Sequence, residues 1–139
     1  MTVVAFNFNA RFETAIREGW KTQAIRRGRR VRNVRPGEVL QLFVGQRTPD
    51  CRRICPDVRC TDVMTIQITF GEDFGIVRIV TDGVPVKDLD AFAVRDGFID
   101  SGDMARFFKE TYGPLEVFHG LVIEWAAPRP AEANMAVAA

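Results

Sequence analysis

The chain has 139 residues, of which 47% are hydrophobic and 27% charged, and its 19 Lys and Arg nearly balance its 18 Asp and Glu. This length favours one domain, and the composition argues against disorder over the whole chain, collagen-like repeats and a membrane-embedded protein. No apolar run approaches the ~20 residues that span a bilayer, and the N-terminus lacks a secretory signal pattern, so we expect a cytoplasmic protein with no membrane partner.

The first part of the chain begins with an apolar run of strand length from Val3 to Phe8. Asn9 is a suitable N-cap for a helix through Glu18, and Gly19 suits the left-handed residue that ends such a helix. From Lys21 to Arg35 the sequence has seven cations and no acid, without clear apolar periodicity. We predict a partly ordered basic loop over this segment.

Three strands are predicted in the middle of the chain, at Glu38 to Val44, Val58 to Phe70 and Phe74 to Val80. The second has a long apolar and polar alternation and would extend about 43 Å at ~3.3 Å per residue. A strand of this length in a small domain must bend or bulge, as strands in barrels do. The turn after it predicts an antiparallel hairpin with the third strand.

Two short helices are predicted next, the first ending at Gly97 and the second running from a cap at Asp100 or Ser101 to Gly113. Val117 to Trp125 is predicted to be the last strand. The aromatic residues of the second helix are spaced for packing in the core. The order of elements predicts an α+β fold, a small bent β-barrel of mainly antiparallel strands with a helix near the N-terminus and two before the last strand.

The residues after the last predicted strand show neither periodicity nor caps. We therefore divide the chain into a domain over residues 1–126 and a flexible C-terminal tail over residues 127–139.

The charges are separated along the chain. Residues 1–60 hold 13 Lys and Arg against 5 Asp and Glu, a net charge of +8, whereas residues 61–139 hold 6 against 13, a net charge of −7. Of the cations, 16 are arginine, whose planar guanidinium suits phosphates and base edges. This asymmetry predicts an anionic partner on one face, although the two halves could also face each other within the fold.

The cysteines Cys51, Cys55 and Cys60 lie close together, and His119 is the only histidine. An odd number of cysteines without a secretory signal is not typical of a disulfide framework, and this spacing matches no common zinc site. We therefore expect no metal and no cofactor. Cys60, on an alternating strand, is expected to be buried, and a structural role is expected for His119.

The segment Gly19-Trp20-Lys21-Thr22-Gln23-Ala24-Ile25-Arg26 resembles the signature of the ASCH domain family, which is related to the PUA RNA-binding fold. That signature is a Gly-x-Lys after a first helix, followed by Thr or Ser and then Arg. Further pieces agree in order and spacing: Pro36-Gly37-Glu38, Asp96-Gly97-Phe98, the helix end from Phe107 to Gly113, and Leu121 to Trp125. The resemblance covers about residues 3–125, and the segment from Gly45 to Cys60 is similar to small single-domain members from phage and prophage genomes.

The resemblance implies a PUA-like barrel with a cleft, beside the basic loop, that holds RNA or a modified nucleoside. Some members are amidohydrolases that deacylate N4-acetylcytidine, and a ribonuclease activity has been ascribed to others. In the amidohydrolases a Lys, a Thr three residues later and a Glu near the helix pair form the catalytic set. Lys21 matches the Lys, Ala24 stands where the family has Thr, and Asp96 is the best match for the Glu.

Because Ala24 has no hydroxyl to activate, the catalytic set is incomplete. We therefore expect an RNA- or nucleotide-binding module. The residues expected to contact the ligand are Trp20, Lys21, Arg26, Arg27, Arg29, Arg30, Arg32 and Arg47. One alternative is an amidohydrolase acting on acylated cytidine, or a metal-independent ribonuclease, with Lys21 and Asp96 as catalytic residues. Another is a protein-interaction module for an acidic partner.

Overall fold

The computed structural model describes residues 3–28 and 34–127. The elements, in chain order, are β1 (Val3–Phe8), a 3₁₀ turn (Ala10–Phe12), α1 (Glu13–Glu18), β2 (Gln23–Arg26), β3 (Val39–Val44), β4 (Arg52–Arg53), β5 (Val58–Phe70), β6 (Ile76–Thr81), β7 (Val84–Pro85), α2 (Leu89–Arg95), α3 (Ser101–Tyr112) and β8 (Val117–Trp125). The strands predicted as the first, the longest and the last in the chain are confirmed with the same bounds. No helix in the described ranges is long and apolar enough to span a bilayer.

Strand β5 is the centre of the sheet. It pairs antiparallel with β8 from Cys60 to Thr69, with β6 over its last residues from Ile66, and with β3 at its start. On their other sides, β8 pairs with β2 and β3 pairs with β1. The register of β5 shifts after Cys60 and again after Thr69, which confirms the irregularity expected of so long a strand. The hairpin of β5 and β6 is also confirmed.

The prediction of an α+β fold is confirmed, but the prediction of a barrel is wrong because the sheet does not close. The pairing of β1 with β3 is parallel, and β1 and β2 share no ladder within the described residues. A side chain bridges the gap between these strands instead. The Arg26 guanidinium donates from Nη1 to the Ile25 carbonyl at 3.0 Å and from Nη2 to the Asn7 carbonyl at 2.9 Å.

The basic segment is also more ordered than predicted, because Gln23–Arg26 forms β2 within it. This strand pairs with β8 from Gln23 opposite Glu124 to Arg26 opposite Leu121. The partner lies about a hundred residues away in the sequence, so local periodicity carried no signal of it. Gln23, Ala24 and Ile25 are all buried, which removes the alternation that marks a half-exposed strand.

The predicted helix caps are confirmed. The Asn9 side chain accepts a hydrogen bond from Arg11 N–H at 3.0 Å, and the Asp100 side chain accepts one from Asp103 N–H at 2.8 Å. Gly19 follows α1 with φ 86°, the left-handed conformation expected after the last turn. Each of the two cap side chains satisfies a backbone N–H in the first turn of its helix.

Aromatic rings fill the core between α3 and the sheet. Phe12, Phe98, Phe107, Phe108 and Phe118 make mainly edge-to-face contacts with centroid separations of 5.0 to 6.5 Å. The predicted core role of the aromatic residues on the second predicted helix is thereby confirmed for Phe108, which is 3% exposed.

The cysteines are all free thiols, and they differ in exposure. Cys51 is exposed, Cys55 is half-buried and Cys60 is 2% exposed, as predicted for a small apolar residue on the inner face of β5. Burial raises the pKa of the Cys60 thiol, so this sulfur remains protonated at neutral pH.

Arg11 covers one side of the aromatic cluster and pairs with Asp103. Its Nη1 and Nη2 donate to the two carboxylate oxygens of Asp103 at 3.3 and 2.5 Å, and Ile99 N–H donates to the same carboxylate at 3.0 Å. The hydrogen bonds from Arg11 are the main cause that lowers the pKa of Asp103. This arrangement anchors the start of α3 to the segment after β1.

The variant Asp103→Asn is expected to lose roughly 1 kcal/mol of stability at pH 7, since it weakens a partly exposed ion pair. A lowered carboxyl pKa stabilises the fold above the ordinary Asp pKa, and this contribution disappears as the pH falls through the lowered value. The deficit of the variant should therefore shrink below about pH 4. Urea unfolding at pH 7 and pH 3 measures it, and a deficit that is equal at both would contradict the ion pair.

Candidate functional site

A cavity of about 250 Å³ lies between β1, β2, the segment after α2, and α3. Its walls are largely aromatic, formed by Phe8, Phe12, Phe98, Phe107, Phe108 and Tyr112. Polar side chains of Asn7, Asn9 and Thr111 also line it, and all three are exposed. The cavity occupies the region where the sheet fails to close, so the free edge of β2 lies on its wall.

Lys21 and Asp96, predicted from separate parts of the sequence, meet in the wall of this cavity. Lys21 Nζ lies 3.2 Å from Asp96 Oδ1, 2.6 Å from the Asp96 carbonyl oxygen and 2.7 Å from the Gln23 carbonyl oxygen. The side chains of Lys21 and Asp96 are 3% and 5% exposed. The ring of Phe12 lies 4.8 Å from Nζ and encloses the ammonium further.

The local sequence explains why these two residues reach each other. Gly19 ends α1 and turns the chain, so that Lys21 enters the fold just before β2. Asp96 is the C-cap of α2 and precedes Gly97, which has φ +95°. A Cβ at Gly97 would lie 2.7 Å from Lys21 Cδ and 2.9 Å from Phe12 Cδ1, so the side chain of Lys21 packs directly on the glycine.

The protonation of the pair follows from its surroundings. Burial lowers the pKa of Lys21, while the carboxylate of Asp96 opposes this change, and burial raises the pKa of Asp96. An ammonium has three N–H donors, and Nζ has three acceptors within 3.2 Å. We conclude that Lys21 is held as an ammonium by this set, with no lone pair available for a base and no proton left to donate to a ligand.

Two polar groups of residues that line the cavity lie outside the strand ladders and outside the contacts of Lys21. Trp125 N–H donates to the Thr22 carbonyl, so the ladder alternation turns the backbone groups of Gln23 and Ile25 away from β8. The Ile25 carbonyl accepts a hydrogen bond from Arg26, and Ile25 N–H faces the edge of β2 that has no ladder partner among the described residues. Asp96 Oδ1 accepts hydrogen bonds from Lys21 and Gln23, whereas Oδ2 accepts none.

Backbone N–H groups on a strand edge without a ladder partner are available as hydrogen-bond donors. A donor and an acceptor of this kind on the wall of a cavity are therefore suited to a ligand that presents the complementary pair.

Two arginines lie over the aromatic walls. Arg26 lines the cavity with its guanidinium 4.8 Å from the centroid of Phe8, and the guanidinium of Arg27 lies 4.6 Å from that of Tyr112. Arg26 is half-buried and Arg27 is exposed. The cavity therefore has a cationic side, which suits an anionic group on a bound molecule.

Trp20 and Arg47, which were also predicted to bind a ligand, lie outside the cavity. Trp20 is 52% exposed, donates from Nε1 to Glu18 at 3.1 Å and does not line the cavity. Arg47 is exposed outside the cavity, although its neighbour Gln46 donates its N–H to the side chain of Asn7. The predictions for Arg29, Arg30 and Arg32 fall outside the described residues.

Ala24 and His119 are also outside this cavity. Ala24 is 1% exposed within β2, and it is not among the lining residues. His119 is exposed on β8, opposite Gln67. Neither supplies a reactive group to the wall of the cavity.

Sequence analysis missed several parts of the site. The residues that carry no sequence signal beyond their type are Asn7, Gln23 and Thr111. They are placed by the pairing of β1 with β3, by the distant pairing of β2 with β8, and by the approach of α3. The edge of β2 at Ile25 could not be identified before the pairing of β2 with β8 was known. The aromatic spacing of α3 did indicate its buried face, and part of that face lines the cavity.

Within the described ranges, no group of three or more His, Cys, Asp and Glu side chains is arranged to hold a metal ion. Comparison of the chain with protein-family models, with curated proteins and with solved structures finds no match.

Proposed function

We propose that this chain is a PUA-like module of the ASCH type that binds one nucleotide of RNA, or a free nucleotide, in the cavity between β1, β2 and α3. The size and the walls of the cavity support this. A volume of about 250 Å³ is below the roughly 300–1,000 Å³ of sites for drug-sized ligands, so it has room for one small planar group. Aromatic walls stack on the face of any base.

The polar groups of the cavity also suit a nucleobase. A base edge carries hydrogen-bond donors and acceptors in one plane, and the wall offers an acceptor at Asp96 Oδ2 and a donor at Ile25 N–H. Arg26 and Arg27 lie where a phosphate of the same nucleotide could approach. The edge of β2 at Ile25, which has no ladder partner among the described residues and lies beside an aromatic cavity, is the observation that carries the proposal.

Binding is favoured over hydrolysis by the state of Lys21. A general base needs a lone pair, and the Lys21 ammonium is saturated by three acceptors. A hydroxyl nucleophile is missing at Ala24, which in addition does not line the cavity. The Lys21 and Asp96 pair is therefore assigned to building the wall, with Asp96 Oδ2 left to contact the ligand.

Titration with the four ribonucleoside 5′-monophosphates tests the site. We expect at least one of them to move the Ile25 amide resonance downfield in a saturable way in ¹⁵N–¹H NMR spectra, because this N–H gains an acceptor. Ribose 5-phosphate, which lacks a base, should leave that resonance in place. If no monophosphate moves the Ile25 resonance, the cavity does not bind a base and the proposal is wrong.

Affinity for a short single-stranded RNA should fall linearly in a plot of log affinity against log salt. Arg27→Gln is expected to reduce the slope by about one, whereas Arg78→Gln, an exposed arginine on β6, should leave it unchanged. Equal slopes for all three proteins would contradict a role for Arg27.

The same samples distinguish the two alternative functions. Cleavage of the RNA, or release of acetate from N4-acetylcytidine, would favour the hydrolase. Saturable binding of an acidic peptide without binding of RNA would favour the protein-interaction module.

A further inference from the structure

A second cavity, of about 400 Å³, lies between α2 and the sheet and shares no lining residue with the first. Its apolar part is formed by Met64, Val86 and Phe92. Its polar part is formed by Thr22, Gln23, Thr81, Arg95 and Glu124. None of these residues lines the proposed nucleotide site, although Gln23 supports its wall through hydrogen bonds with Lys21 and Asp96.

Glu124 is the principal charged group inside it. This half-buried residue on β8 pairs in register with Gln23 on one side and with Asp62 on the other. In the described part of the chain its carboxylate has no hydrogen-bond donor and no ion pair within 4.0 Å. Burial is the main cause that raises the pKa of Glu124; Asp62 adds to the rise, and Arg95 opposes it. A partly buried carboxylate without a partner is unfavourable, and a cation beside it would remove the cost.

Gln23 supplies a second acceptor. Its side-chain amide is buried, with the residue 5% exposed, and Nε2 donates to Asp96 Oδ1 at 3.4 Å. The other arm of the amide, Oε1, accepts no hydrogen bond from the described residues. Since Gln23 lines the second cavity, this oxygen is available to a donor placed there.

Arg95 lines the same cavity but does not pair with Glu124. Its guanidinium lies 5.6 Å from the centroid of Phe92, and it makes no ion pair with Glu124 within 4.0 Å. Arg95 is exposed at the end of α2, so it lies at the rim of the second cavity and does not occupy its interior.

We infer that the second cavity is a binding site for a small organic ammonium ion with a short apolar chain. The ammonium donates to the Glu124 carboxylate and to Gln23 Oε1, and the threonine hydroxyls can accept its remaining proton. The apolar chain packs on Met64, Val86 and Phe92. The negative charge of Glu124 repels an anion from the interior. A neutral alcohol could fill the cavity, but it would leave the charge of the Glu124 carboxylate uncompensated.

Titration of the full chain with n-butylammonium and with 1-butanol, which have similar shape and differ in charge, tests the inference. We expect saturable shifts of the Gln23 side-chain amide and the Glu124 backbone amide in ¹⁵N–¹H NMR spectra with butylammonium. Butanol should bind at least tenfold more weakly. Absence of saturable shifts with butylammonium, or equal binding of the alcohol, would overturn the site.

Two variants separate a built site from general attraction to an acidic surface. Glu124→Gln should weaken butylammonium binding at least tenfold, whereas Asp62→Asn, which removes an exposed neighbouring charge outside the cavity, should weaken it less than threefold. Equal losses would overturn the inference.

Arg95→Ala provides a test that does not depend on the folding of the Glu124 variant. It removes a like charge from the rim, so it should tighten butylammonium binding, and weaker binding would contradict the inferred geometry. The two cavities have separate lining residues and are tested with different ligands. A negative result with butylammonium would therefore not contradict the proposed nucleotide site.

Discussion

Asp96→Ala is expected to destabilise the fold by about 3–5 kcal/mol, because it leaves the Lys21 ammonium buried without its carboxylate. Lys21 is 3% exposed, and in this variant it keeps only the two backbone carbonyl acceptors. Equilibrium unfolding in urea measures the loss as a fall in the midpoint at unchanged slope.

The matched control for this variant is Glu72→Ala, which removes an exposed carboxylate in the turn between β5 and β6 and should change stability by less than about 0.5 kcal/mol. A double variant, Lys21→Met with Asp96→Leu, should recover much of the stability that the single variant loses, since it removes both buried charges together. A loss below about 1 kcal/mol in Asp96→Ala would show that the pair does not hold the cavity wall.

Gly97→Ala is expected to cost about 3 kcal/mol or more. A left-handed backbone at a residue with a Cβ costs roughly 1–2 kcal/mol, and Gly97 has φ +95°. The new methyl would also meet Lys21 and Phe12 at 2.7 and 2.9 Å, so the ion pair and the aromatic wall must both shift. Urea unfolding gives the total, and the position of the Ile25 amide resonance reports whether the cavity changes with it.

Gly37→Ala separates the two causes. Gly37 has φ +90°, nearly the same backbone strain, but a Cβ there would meet nothing within 4 Å. This control should lose only the roughly 1–2 kcal/mol of the conformational cost. If the two variants are equally unstable, the contact of Gly97 with Lys21 and Phe12 contributes nothing, and the packing described for the cavity wall is incorrect.

The parts of the fold that sequence analysis predicted are those specified by neighbours in the sequence. Alternation over β5, the caps at Asn9 and Asp100, and the glycine after α1 each depend on a few adjacent residues, and each is confirmed. Strand β2 was missed because its hydrogen bonds come from β8. Closure of the sheet was predicted wrongly, since no local pattern distinguishes a paired edge from one bridged by an arginine.

For the candidate site, the sequence identified the two residues of the buried ion pair but not their surroundings. Lys21 and Asp96 were selected through the family resemblance, and the structure brings their side chains to 3.2 Å. Two of the three acceptors around Lys21 are backbone carbonyls. Because every residue has a carbonyl, the sequence does not show which of them will face Lys21. Trp20 was selected by type alone, and it lies outside the cavity.

The bridge that Arg26 makes between β1 and β2 replaces a backbone ladder at the edge of the site. Neighbouring strands in a sheet stand at a spacing fixed by the peptide group, about 4.8 Å, whereas these two are joined through the fork of one guanidinium. A lysine at this position has no fork and could not hold both carbonyls in the same way. At this point the edges of β1 and β2 are thus held together through a side chain that also lines the cavity, and not through a backbone ladder.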